Sequence, residues 1–167
     1  TDQGAAAVLS PDGAVLAFVA QKTGGSTSQL YVRRLDALQA SPLSGTEDAR
    51  NPFFSPDGQW IAFFAGGKLK KISVTGGVAV ILCDAQDGRG GTWADDGTIA
   101  FVPRNTIATT VWRVSSAGGT PVSLTSVVEG DVSHRWPQVL PGGKAVLYTT
   151  QGTGLDGASI VVQPLPN

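Results

Sequence analysis

Phe54-Ser55-Pro56-Asp57-Gly58-Gln59-Trp60-Ile61-Ala62-Phe63 places a four-residue turn between two apolar stretches. The same turn stands at Ser10-Pro11-Asp12-Gly13, and altered copies occur at Ala94-Asp95-Asp96-Gly97 and Leu140-Pro141-Gly142-Gly143. The four begin at positions 10, 55, 94 and 140, in steps of 45, 39 and 46 residues. Each is entered from a bulky apolar residue (Leu9, Phe54, Trp93 or Val139) and leads into an apolar triplet ending in an aromatic ring. Those triplets are Leu16-Ala17-Phe18, Ile61-Ala62-Phe63, Ile99-Ala100-Phe101 and Val146-Leu147-Tyr148. Proline presets φ at the second turn position, while Asp and Gly supply side-chain-to-backbone bonding and a relaxed positive φ. Short runs rich in Val, Ile, Phe and Trp on either side of such a turn read as a β-hairpin.

A third strand comes after each hairpin, near Leu30 to Arg34, Lys68 to Val74, Val111 to Ser115 and Ala158 to Gln163. A fourth is expected near Ser41 to Leu43, Val78 to Cys83 and Pro121 to Thr125, with Thr75-Gly76-Gly77 and Ala117-Gly118-Gly119 turning between third and fourth. No stretch carries a helical period. A repeat of this length built from strands is the signature of a β-propeller. The sequence therefore predicts an all-β fold, a β-propeller array of about four blades of four antiparallel strands with the last incomplete. It forms a single partial domain with blades over 1–48, 49–87, 88–132 and 133–167. After the last third strand come Pro164-Leu165-Pro166-Asn167, and two prolines in four residues make a poor ladder partner. An unclosed array exposes an edge, which a second copy, further chain or a neighbouring molecule would cover. The absence of Met, even at Thr1, points to a piece of a longer protein.

Charged residues are 15% of the chain and the formal net charge is -1. That balance lacks the basic face nucleic-acid binding requires, and the same absence argues against a polybasic membrane patch. Apolar runs are of strand length, so no membrane-inserting segment is expected here. One His and one Cys do not make a nitrogen or sulfur metal site, and no cofactor is expected. Asp57, Asp95 and Asp96 lie in turns without the ligand spacing of a Ca²⁺ loop.

At one register ahead of the turn the copies carry Ala5, Arg50, Arg89 and Arg135. Asp48 and Asp87 precede two of these arginines by two positions, and Asp131 lies four before Arg135. First strands line a propeller's channel, so a ring of guanidinium groups at its mouth would suit a carboxylate or phosphate. The alternative is a staple, each Arg holding an Asp of its own or the next blade; a repeated register fits both. His134, the single histidine, and Trp136 flank Arg135 and join the candidate ligand-binding set of Arg50, Arg89, His134, Arg135 and Trp136. A lone strand histidine is more often hydrogen-bonded structure than a ligand contact. Cys83, in Val80-Ile81-Leu82-Cys83, reads as a buried thiol. Trp60, Trp93 and Trp112 read as filling between blades, and Lys68, Lys70 and Lys71 as a solvated face.

Gly45 to Gly58, Ala62 to Ile72, Leu82-Cys83-Asp84-Ala85, Gly88-Arg89-Gly90-Gly91-Thr92-Trp93 and Ser133-His134-Arg135-Trp136-Pro137-Gln138 together resemble the TolB-like propellers. Within that group they are most similar to the C-terminal propeller of certain bacterial membrane serine/threonine protein kinases. The resemblance implies an extracytoplasmic sensor or interaction domain, tethered through a membrane helix to a cytosolic kinase. No Gly-rich phosphate loop, His-Arg-Asp or Asp-Phe-Gly is present, so phosphate transfer is not expected of this segment. The expected function is non-catalytic binding of a protein or of a small anionic or peptide ligand, with a homodimer as one way to cover the open edges. The rival is a propeller hydrolase or lyase using mouth carboxylates drawn from Asp48, Asp87, Glu129 and Asp131.

Overall fold

The computed structural model describes residues 6–21, 24–128, 131–152 and 157–165. Among these residues every regular element is a strand, and the strands form four antiparallel sheets in chain order. The first sheet holds β1 (Ala7–Leu9), β2 (Val15–Gln21), β3 (Ser28–Arg34) and β4 (Ser41–Pro42). The second holds β5 (Arg50–Phe54), β6 (Trp60–Ala65), β7 (Lys68–Ser73) and β8 (Val80–Asp84). The third holds β9 (Gly91–Trp93), β10 (Thr98–Phe101), β11 (Trp112–Ser115) and β12 (Val122–Ser123). β13 (Ser133–Val139), β14 (Ala145–Gln151) and β15 (Ala158–Pro164) make the fourth, three-stranded among the described residues. Each sheet is a blade. Pro166 and Asn167 of the expected poor ladder partner, like Thr1, Ala5 and Glu129, lie outside the described residues. Pro164 ends β15 opposite Ala145.

The Ser-Pro-Asp-Gly turns show why that tetrapeptide recurs. The Ser10 hydroxyl donates to Asp12 Oδ1 at 2.5 Å and accepts from the Val15 amide at 2.9 Å, while the Ala14 amide donates to the same carboxylate at 3.0 Å. Ser55 and Asp57 repeat the network with Gln59 and Trp60. Two side chains thus satisfy amides that a tight hairpin would otherwise leave to water. In the altered third copy only Asp96 remains, accepting from Thr98 N at 2.8 Å. The Gly97 amide still closes the turn on Ala94 O at 3.0 Å.

Period-2 alternation along the second strand of each blade decides how blades stack. Ile61 and Phe63 face the first blade, packing with Ala17 and Leu30. Ala62 and Phe64 face the third, packing with Ile99 and Phe101. Ala100, Val102 and Val111 meet Val146 and Tyr148 of the fourth blade. The rule is constant: the first and third residues of each triplet look back, and the middle one looks forward. Phe64 lies 6.5 Å from both Phe53 and Phe101 in tilted ring contacts, so one aromatic ladder crosses the junction of blades two and three. Cys83 is buried in the same junction. Trp93 and Trp112 pack on its edge, as between-blade filling requires. Lys71 departs from the solvated-face expectation: its ammonium lies 4.6 Å from the Trp60 ring centroid and 5.8 Å from that of Trp93.

Candidate functional site

The first strands β1, β5, β9 and β13 converge and enclose two cavities. One, of about 250 Å³, is lined by Val8, Asn51, Phe53, Gly90, Trp136 and Gln138 among others. The other, of about 530 Å³, is lined by Leu9, Phe54, Trp93 and Val139 together with the adjoining hairpin turns. All four blades contribute to both, which identifies the lining as the propeller channel.

The repeated arginine immediately precedes the wall of the smaller cavity. Arg50 opens β5, Arg89 lies just before β9, and Arg135 sits in β13. In each case the next residue is left-handed: Asn51 at φ 48°, Gly90 at 86° and Trp136 at 52°. The ladder slips at this point, between Arg50 and Phe53 in β5 and between Arg135 and Gln138 in β13. These are β-bulges, which re-aim side chains where a strand meets a site. Asn tolerates the left-handed region, whereas Trp is an outlier there. A non-glycine residue held in that way stores roughly 1–3 kcal/mol of strain. Asn51 and Trp136 also precede proline, which ordinarily drives a residue to extended backbone. Spacing revealed the arginines but missed the left-handed step behind them. The readable signal was Gly90 and Asn51 at one register; Trp136 concealed it.

Glycines in the third blade admit the neighbours' rings. A Cβ on Gly88 would lie 2.1 Å from the Phe64 ring, one on Gly90 2.6 Å from the Trp136 ring, and one on Gly91 2.6 Å from the Phe53 ring. Trp136 therefore rests against Gly90 in the channel wall. Its amide donates to Arg89 O at 3.2 Å, and the Asn51 side chain donates to Gly88 O at 3.0 Å, so blades two and four are both stitched to blade three. Asn51 Oδ1 is buried and accepts no hydrogen bond from the described residues.

Arg50 and Arg89 meet at a single carboxylate. Asp87 Oδ1 lies 3.5 Å from Arg50 Nη1, and Asp87 Oδ2 lies 3.4 Å from Arg89 Nη2. The pairing joins blade two to the entry of blade three, as the staple reading expects. Both contacts are long beside the 2.7–2.9 Å of a strong charge-assisted bond. Arg50 and Asp87 are about half exposed, a setting in which an ion pair contributes about 0–1 kcal/mol. Arg135 Nε donates to the Ser133 hydroxyl at 3.3 Å. One anionic group thus stands between two cationic ones, with a third cation at the same register of the next blade.

His134 is placed differently. It has no accessible surface. Its Nδ1 is 2.7 Å from the Thr125 hydroxyl, its Nε2 is 3.3 Å from Asp131 Oδ2, and its ring lies 4.4 Å from that of Tyr148. In this conformation it holds the fourth blade to the end of the third and meets no solute in the channel. Of the carboxylates in the hydrolase reading, Asp87 serves the two arginines, Asp131 serves His134, and Asp48 sits in a left-handed turn at φ 57°. Glu129 lies outside the described residues. Asp57 is committed to its own turn, and among the described residues no three His, Cys, Asp or Glu side chains gather as a metal cluster would. No helix among the described residues is long and apolar enough to cross a membrane.

No protein-family model matches the chain, and no curated protein matches its sequence. Solved structures do match. A TolB from Agrobacterium tumefaciens superposes with a TM-score of 0.73 at 18% identity, over 92% of this chain and 62% of that one. TolB from Acinetobacter baumannii gives 0.72 at 20% identity, over 98% and 41%. A chain of a nidogen/laminin complex gives 0.64 at 16%, over 94% and 57%. Peptidases match as well, over about a third or less of their length. The chain spans less than two thirds of the TolB proteins it resembles. Its fold is that of a TolB-like β-propeller.

Proposed function

We propose that this propeller is a non-catalytic binding module whose channel mouth receives an anionic group of a protein or small ligand. One observation carries the reading: Arg50 and Arg89 share the single carboxylate of Asp87, beside a cavity walled by all four first strands. A carboxylate or phosphate entering there exchanges a long ion pair for bidentate guanidinium bonds. Arg135 extends the same cationic register, and the Trp136 ring against Gly90 offers an apolar floor. Asn51 Oδ1, without a donor of its own, suits an N–H or O–H of the same ligand. The nidogen/laminin likeness supports a protein as the source of that group. The resemblance of Gly88 to Trp93 and Ser133 to Gln138 to kinase-linked propellers supports an extracytoplasmic sensor of a membrane-tethered kinase as the setting.

Titration calorimetry with inorganic phosphate and with citrate tests the site. Arg50→Gln and Arg89→Gln should each weaken binding about 10- to 100-fold, since a hydrogen bond to a charged group contributes roughly 1.5–3 kcal/mol. Unchanged affinity with a lowered melting temperature would leave the arginines as staples alone.

A further inference from the structure

At the opposite end of β5 from Arg50, blades two and three leave a cleft of about 300 Å³ between their hairpin turns. Asp57, Trp60 and Lys71 line it from blade two, and Trp93, Asp95 and Ser116 from blade three. Each of these blades has a neighbour on both sides, so neither wall is an end of the array.

The repeat shows that folding does not demand these residues. At the first junction the positions of Trp60, Lys71 and Trp93 are held by Val15, Val32 and Phe54, which belong to one apolar cluster. At the third junction they are Thr98, Arg113 and Val139, without an aromatic ring. Asp95 stands where the other three turns carry Pro11, Pro56 and Pro141, a residue whose fixed φ suits that turn position. Four departures from the repeat thus meet in one cleft.

The polar groups among them are uncommitted. The Lys71 ammonium rests against both indoles, 4.6 Å and 5.8 Å from their centroids, and pairs with no carboxylate among the described residues. The Asp95 carboxylate makes no hydrogen bond or ion pair among those residues either. Asp57 spends only Oδ1 on its turn, which leaves Oδ2 as an acceptor.

Charge selects the occupant. A cation would meet the ammonium already seated on the rings, and an anion would meet two carboxylates. An uncharged ring edged with hydroxyls uses every group. Its C–H bonds lie on the electron-rich indole faces. Its hydroxyls donate to Asp95 and to Asp57 Oδ2, and one accepts from Lys71. The volume is at the small end for ligand pockets and suits one such ring. We propose that this cleft binds a single neutral sugar ring, independently of the arginines at the other end of the blades.

Contact with a ring alters indole fluorescence, so Trp60 and Trp93 report on the site directly. The probes are methyl glycosides of glucose, galactose, mannose and N-acetylglucosamine. At least one should shift the emission saturably, with a dissociation constant near millimolar. Asp95→Pro and Lys71→Val restore residues found elsewhere in the repeat and keep both indoles. Each should weaken binding about tenfold or more, the effect of losing one charge-assisted hydrogen bond. Circular dichroism checks the fold; if Lys71→Val unfolds, Asp95→Pro, in an exposed turn, decides alone. Absence of saturation by all four glycosides overturns the inference. So does binding that the folded variants leave intact, or a response confined to tetramethylammonium or acetate, which would make the cleft a site for a charged group.

Discussion

Asp12 and Asp57 each accept a serine hydroxyl and a backbone amide within their own turn, and the serine bond is the larger reason their carboxyls ionise below the ordinary value. A carboxylate whose folded value is depressed stabilises the fold above its unfolded value and loses that contribution as pH falls through the folded one. Stability should therefore hold from neutral pH to about pH 4 and decline below it. Asp12→Asn and Asp57→Asn should each flatten that acid limb in melts recorded from pH 6 to pH 2. A limb unchanged by both substitutions would place the acid sensitivity elsewhere. At this scale the sequence was highly legible, because Ser, Pro, Asp and Gly have few other uses in that order. The left-handed Trp136 was not legible: its conformation is imposed by packing on Gly90 and by the amide bond to Arg89, contacts that lie 46 or more residues away along the chain.

At the scale of the strand, position in the repeat predicts burial only when a neighbouring blade is present. Phe63 and Phe18 occupy one register, yet Phe63 is wholly buried and Phe18 is not. Phe63→Ala should cost about 3–5 kcal/mol by urea unfolding. Phe18→Ala in dilute protein should cost well under half as much. Equal losses would mean that the first blade is covered in solution even at low concentration. The alternation that generates these faces was plain in the triplets. Which residue looked forward was not, since every triplet is apolar throughout and only the contacts of Ala17, Ala62 and Ala100 assign the middle position. His134 illustrates the same limit. Its neighbours in sequence are cationic and aromatic, but what encloses its ring is Thr125, Asp131 and Tyr148, contacts that its immediate sequence does not announce.

Across the whole molecule, Cys83 reports on opening of the junction between blades two and three. Burial, with the nearby Asp84 carboxylate adding to it, pushes the thiol up to about 11. At pH 8 it should react with a thiol reagent only at the rate of junction opening, and urea should accelerate labelling in step with unfolding. Rapid labelling of native protein would show that the second and third blades part without unfolding.

The back-and-forward alternation has a directional consequence as well. Every blade turns the first and third residues of its triplet to the blade before it and the middle one to the blade after it, so the stack has unlike ends, as a row of arrows has. Subunits with unlike ends add in one orientation only, and growth stops when the two ends of an assembly meet. An array of such blades closes when its first and last faces meet; a small change in the angle between blades would carry the same faces past each other and into an open helix.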